Sequence, residues 1–143
     1  MASLPLGVLA VVAGALGLYG ANQPPENPEN FLLLAQAADR DAVKLMADLM
    51  KEGKPLFVEN CAPCHGNDGK GVEGPPLDGA ENVSSRGFVV DQILFGYPDH
   101  GMPPFDFLED REIAAIGTYI RNSWSNSFSL IDADRVARGR LAD

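Results

Sequence analysis

A small all-α domain with long, turn-rich loops, preceded by one apolar helix, is the fold class this sequence predicts, on three observations. The 143 residues, 45% of them apolar, supply one core and not two. Apolar residues recur at helical spacing early and late in the chain, and no alternation of strands with helices is legible between them. Fifteen glycines and eleven prolines exceed what a plain helical bundle uses, yet the apolar share is too high for a disordered chain.

No charged side chain precedes Glu26, and residues 4–21, LPLGVLAVVAGALGLYGA, form one apolar run. Eighteen helical residues cover roughly 27 Å, marginally enough for a bilayer core. The rival is a cleaved signal peptide; against it stand an N-terminus without Lys or Arg and a small-x-small site, Ala13-Gly14-Ala15, inside the run. Residues 1–21 are therefore read as a transmembrane anchor, with a signal peptide as the alternative. Gly7, Ala10, Gly14, Gly17 and Ala21 recur every three or four residues, a small-residue stripe on which a partner's transmembrane helix could pack. Residues 22–30, NQPPENPEN, read as a stiff Pro-rich linker.

The main domain is expected over residues 31–130. Its first region carries Val43, Met46 and Met50, with Leu45 and Leu49, at helical spacing. Residues 53–60, GKPLFVEN, lead to the cysteines, with Pro55 expected to interrupt the helix. Residues 66–79 read as a loop. Residues 88–95, FVVDQILF, suit a short helix or a buried strand equally. Residues 110–123 put Ile113, Ile116, Gly117 and Ile120, then Trp124, on one face of an amphipathic helix, with Glu109 a mediocre cap. A C-terminal tail, residues 131–143, can hold one further short helix.

Twenty acidic against eleven basic side chains, a net charge of −9, exclude a nucleic-acid binder and an anionic membrane surface as partner. The chain's two cysteines fall at Cys61 and Cys64, too close to staple distant segments. With His65 they form Cys-Ala-Pro-Cys-His, the CxxCH attachment site of a c-type haem. Two thiols three residues apart on one helical turn can add to the two porphyrin vinyl groups, while the adjacent imidazole reaches the iron. A thioredoxin-type CxxC calls for an α/β fold that is not legible here. Zinc calls for four ligands, and beyond these three there is only the distant His100.

With this motif the chain resembles the class I cytochrome c family over about residues 53–124. Gly53 and Phe57 stand at the family's offsets before Cys61, which implies a close crossing of the N- and C-terminal helices, here against Ile116 and Tyr119. Gly74-Pro75-Pro76-Leu77 is similar to the family's Gly-Pro-x-Leu. That resemblance implies that the Pro75 carbonyl orients His65 and that Leu77 packs on the haem. Met102-Pro103-Pro104-Phe105 resembles the axial-Met loop, which makes Met102 the sixth ligand beside His65, with His100 as the rival ligand and otherwise a surface residue. The implied fold is the cytochrome c fold wrapped around one covalent haem c.

Two strong axial ligands leave iron no open position, so the resemblance implies one-electron transfer and no catalytic residue. It also implies a haem domain on the periplasmic side of a bacterial cytoplasmic membrane, as the electron-transfer subunit of a respiratory complex, either a terminal oxidase or a periplasmic dehydrogenase. The alternative is a soluble periplasmic shuttle released by signal cleavage. Between Cys61 and Glu112 ten acidic residues face three basic ones. In the family fold these loops surround the haem edge, so the expected redox partners, other subunits of a membrane complex, carry a basic docking patch.

Overall fold

A computed structural model describes residues 28–141. The expected anchor, residues 1–21 with their small-residue stripe, and residues 22–27 of the linker lie outside them. The chain divides into two compact units, residues 1–36 and 37–143. Of the first, only the opening turns of a helix are described.

That helix, α1 (Pro28–Asn60), begins inside the expected linker, with Pro28 at its first turn, where a missing N–H costs nothing. It then passes through Pro55 without a break. The expected interruption is overturned for a physical reason. Leu49 and Phe57 are fully buried on either side of Pro55, and burying two such side chains, worth about 1.5–3 kcal/mol each, offsets the roughly 3 kcal/mol that an interior proline costs. Helix α2 (Ala62–His65) follows at once and carries Cys64 and His65, with Cys61 at its N-cap.

Residues 88–95 are helical: α3 (Arg86–Phe95) starts on Ser85, whose Oγ accepts from Phe88 N, and ends at Gly96. It buries Val89, Val90, Ile93 and Leu94. Helix α4 (Asp110–Arg121) is the amphipathic helix that the spacing predicts, and Ile113 and Ile116 are completely buried. Glu109 serves better than expected, because its N–H donates to Glu112 Oε2 at 2.9 Å in a capping box. The tail forms α5 (Ala133–Arg140), capped by Asp132, which accepts from Arg135 N at 2.8 Å. It is an integral part of the core: Ile131 and Val136 are fully buried, and α3, α4 and α5 pack on one another. Thr118 Oγ1 donates to Ile131 O and accepts from Ile131 N, locking the tail to α4.

The α1 and α4 backbones touch at Gly53. A Cβ there would stand 2.1 Å from the Ala115 carbonyl oxygen and 2.9 Å from Tyr119 Cβ. The close crossing is therefore present, but it faces Ala115 with Tyr119, not Ile116, which turns into the core instead. An ion pair fastens the same two helices: Arg111 grips both Glu52 carboxylate oxygens at 2.8 and 2.9 Å. Arg111 holds the Glu52 carboxyl below its usual range. The stabilisation is thus present above the ordinary Glu pKa and is lost as pH falls through the lowered value, and both groups are exposed enough for salt to screen it.

Buried Arg121 closes α4. Its guanidinium donates to the carbonyls of Val83, Ser84 and Ser129 and lies 5.3 Å from the Phe128 ring centre. These bonds tie the 3-10 turn Glu81–Ser84 and residues 128–129 to the helix end. Among the described residues no strand occurs, only an isolated antiparallel bridge between Tyr97 and Met102.

Candidate haem site

The Phe57 ring, fully buried, fixes the last turn of α1, and the Cys61 N–H continues the helix by donating to Phe57 O at 2.8 Å. His65 N donates to Cys61 O at 2.9 Å, so Cys61, Cys64 and His65 share one helical turn, as the spacing requires. Cys61 and His65 are buried, and Cys64 is half-buried. Burial pushes the Cys61 thiol up to about 12, with Cys64 adding to the shift. It is therefore a protonated thiol at neutral pH, a poor nucleophile for disulfide exchange.

Residues 66–79 fold back on this turn. The N–H groups of Val72, Glu73 and Gly74 all donate to the Cys64 carbonyl at 2.9–3.1 Å, and Gly71 N donates to His65 O at 2.8 Å. The wrap brings the Pro75 carbonyl 2.8 Å from His65 Nδ1. Only a donor can face a carbonyl, so Nδ1 carries the proton and Nε2 is left with a free lone pair. Leu77 is half-buried against the core and does not line the cavity described next.

Met102 arrives by a different route. Tyr97 N donates to Met102 O at 2.8 Å, and Met102 N to Tyr97 O at 3.2 Å, across the turn Pro98–His100. Phe105 N donates to Ile93 O at 2.9 Å and ties the loop to α3. One cavity of about 520 Å³ results, lined by Cys61, Cys64, His65, Pro75, Met102, Pro103 and Phe105, together with Asn60, Glu73, Gln92, Tyr97 and His100. His100 is exposed, as expected of a surface residue, but it stands at this rim with its ring stacked on Tyr97 at 4.1 Å.

These residues fit a haem. Two thiols, a lone-pair nitrogen with its tautomer set by a carbonyl, and a thioether converge on a largely apolar cavity. Asn60 and Tyr97 were within reach of sequence reasoning, being the neighbour of Cys61 and the residue that a short turn pairs with Met102. Gln92 was not, since nothing in the pattern of α3 marks it.

Comparison with known proteins agrees. Residues 48–120 match the family model described as cytochrome C oxidase, cbb3-type, subunit III. The cbb3-type cytochrome c oxidase subunit FixP of Rhizobium etli is 44% identical over 61 residues, 39% of this chain and 21% of that protein. The cytochrome c subunit of the quinone alcohol dehydrogenase of Gluconobacter oxydans is 32% identical over 89 residues, 52% of this chain and 19% of that protein. A cytochrome c-553-like protein of Synechocystis is 27% identical over 115 residues, 80% of this chain and 96% of that protein. The chain thus spans about a fifth of the length of the first two relatives. A CxxCH turn against a cavity that also holds Met102, within a match covering half of the sequence, makes this chain a class I c-type cytochrome of the cbb3-type cytochrome c oxidase subunit III family.

Proposed function

We propose that the chain holds one haem c, bound covalently through Cys61 and Cys64 with His65 and Met102 as axial ligands. In this reading it passes single electrons as a membrane-anchored subunit of a respiratory complex. The observation that carries this reading is the convergence of the CxxCH turn and Met102 on one cavity. Bound there, haem supplies reversible one-electron chemistry. The chain's own residues bind, orient and exclude water. The Cys61 and Cys64 thiols would form the thioether links, and the Pro75 carbonyl keeps the proton on His65 Nδ1, which leaves the Nε2 lone pair as the donor that would hold the iron. Met102 contributes a thioether, which favours ferrous iron and raises the potential. Pro75, Pro103 and Phe105 supply apolar wall, while Leu77 acts from behind the loop. Met102→Ala is expected to remove the far-red charge-transfer band of the ferric protein, which marks thioether ligation; an intact band would reject Met102 as ligand.

Glu73 is the acidic residue of the cavity lining, and Asp99 and Asp106 are next in sequence to the lining residues His100 and Phe105. All three carboxylates are exposed, as are the large apolar side chains Val72, Tyr97 and Phe107, which suits a redox partner with a basic patch, approached by steering that salt screens. Residues 1–21 would anchor the chain to the cytoplasmic membrane, with the haem domain on the periplasmic side; among the described residues no helix is long and apolar enough to cross a membrane. The second reading is a soluble periplasmic shuttle released by signal cleavage; the cytochrome c-553-like protein of Synechocystis aligns with this chain along 96% of its own length. Purification of the haem protein from native membranes in mild detergent, followed by intact-mass analysis, decides between them. Companion subunits and an intact N-terminus are expected; a lone chain without its first twenty or so residues would overturn the anchored reading.

A further inference from the structure

The segment that leaves α4 is bound to the loop that orients His65 more heavily than packing alone requires. Asn126, 7% exposed, spends every polar group of its side chain. Its Oδ1 accepts from Gly79 N at 3.0 Å, and its Nδ2 donates to Leu77 O and to Ile120 O, both at 2.9 Å. One amide thus joins the last turn of α4 to residues 77 and 79. Next to it, both the backbone N–H and the hydroxyl of Ser125 donate to Asp78 Oδ1. These bonds hold the Asp78 carboxyl below its usual range.

Trp124 completes the arrangement. It takes a left-handed backbone, φ 57°, which a non-glycine residue adopts at a cost, and that turn sends its indole back over the loop. Nε1 donates to Asn67 O at 3.2 Å, and the ring lies so close to Gly69 that a Cβ there would stand 2.7 Å from it. Gly69, itself at φ +68°, offers the carbonyl that accepts from Leu77 N at 2.7 Å and Asp78 N at 2.9 Å.

Pro75 therefore sits between two anchors. On one side Gly74 is bonded to Cys64, within the haem-attachment turn. On the other, Leu77 is bonded to Gly69, and both are gripped by residues from the exit of α4, 49 and 55 positions away in sequence. We propose that Asn126, supported by Trp124, is a positioning residue for the haem: it sets the length of the His65 Nδ1–Pro75 hydrogen bond and through it the reduction potential. The sign follows from the chemistry. A short bond to Pro75 O gives the imidazole more basic character, which stabilises ferric iron and lowers the potential. Loosening residues 77–79 lengthens that bond and raises the potential.

The inference rests on the haem reading above, and the test separates the two. The full-length haem protein is prepared as wild type, Asn126→Ala, Trp124→Phe and, as a stability control, Thr118→Val. The control breaks buried hydrogen bonds on the α5 side of α4, away from the loop. A haem c pyridine haemochrome spectrum in the wild type sustains the reading; its absence would overturn that reading whatever the variants do. Given haem, Asn126→Ala is expected to raise the ferrous-to-ferric ratio at fixed ambient potential by about tenfold, equivalent to ~59 mV for one electron. The His65 Nδ1–H resonance of the ferrous protein is expected to move upfield. Trp124→Phe keeps an aromatic side chain but loses the bond to Asn67 and part of the indole's contact with Gly69, so a shift of the same sign is expected from it, and it carries the test if Asn126→Ala fails to fold. Thr118→Val should lower the melting temperature and leave potential and resonance in place. A clamp variant that loses stability with an unmoved potential, or a control that moves the potential as far, would overturn the inference.

Discussion

Gly53→Val is expected to unfold the domain near ambient temperature, whereas Lys54→Ala, one residue along and exposed, should melt within a degree or two of wild type. Even a methyl at Gly53 would lie 2.1 Å from the Ala115 carbonyl oxygen. A backbone carbonyl inside α4 cannot rotate away, so α1 itself has to retreat. Overpacking a core ordinarily costs about 1–3 kcal/mol. Here the retreat also opens the contacts of Phe57, completely buried and 5.3 and 5.5 Å from the Tyr119 and Trp124 rings, and truncating such a phenylalanine costs roughly 3–5 kcal/mol. Against a domain stability of about 5–15 kcal/mol, the two together approach the whole. A thermal melt followed at 222 nm checks this; a Gly53→Val protein melting with the wild type would mean that the helices do not cross there.

What was legible in the sequence and what was not divides along sequence distance. Helix α4 could be read because Ile113, Ile116 and Ile120 show a one-sided period. Helix α3 could not be told from a strand, because Phe88 and Phe95 stay 40% exposed while Val89, Val90, Ile93 and Leu94 are buried, which blurs any period. The site was legible to the extent that its residues are local: Cys61, Cys64 and His65 on one turn, Pro75 ten residues from His65 and held to it by a single loop. The continuous passage of α1 through Pro55 depends on packing partners far along the chain, which no local propensity carries. Trp124 looked like a continuation of the α4 face, but the helix ends at Arg121 and the indole returns through a left-handed turn. Asn126 had no signal at all, since its partners Leu77 and Gly79 lie 49 and 47 residues away.

The largest expected effect of any substitution at the site itself concerns folding, not electron flow. A Cys61→Ser, Cys64→Ser chain, unable to hold haem covalently, is expected to keep much of its helix content but to lose its fixed tertiary packing. The reason is the size and character of the cavity. Empty apolar space costs about 24 cal/mol per Å³, so about 520 Å³ would forfeit on the order of 10 kcal/mol if wholly enclosed, as much as a typical domain has. Because one side opens to solvent, only part of that applies, yet even a third of it is a large share of the stability. The walls cannot close to avoid the cost without breaking what holds them apart. Residues 72–74 are bonded to Cys64, Phe105 is bonded to Ile93, and the Tyr97–Met102 bridge fixes the remaining rim. Far-UV circular dichroism should stay helical while the near-UV signal of the Phe57, Tyr119 and Trp124 cluster collapses, the signature of a compact but loosely packed state. A double-serine chain with dispersed amide resonances and a cooperative melt would show that the cavity can close by itself, and that the haem is a guest in this fold and not the larger part of its core.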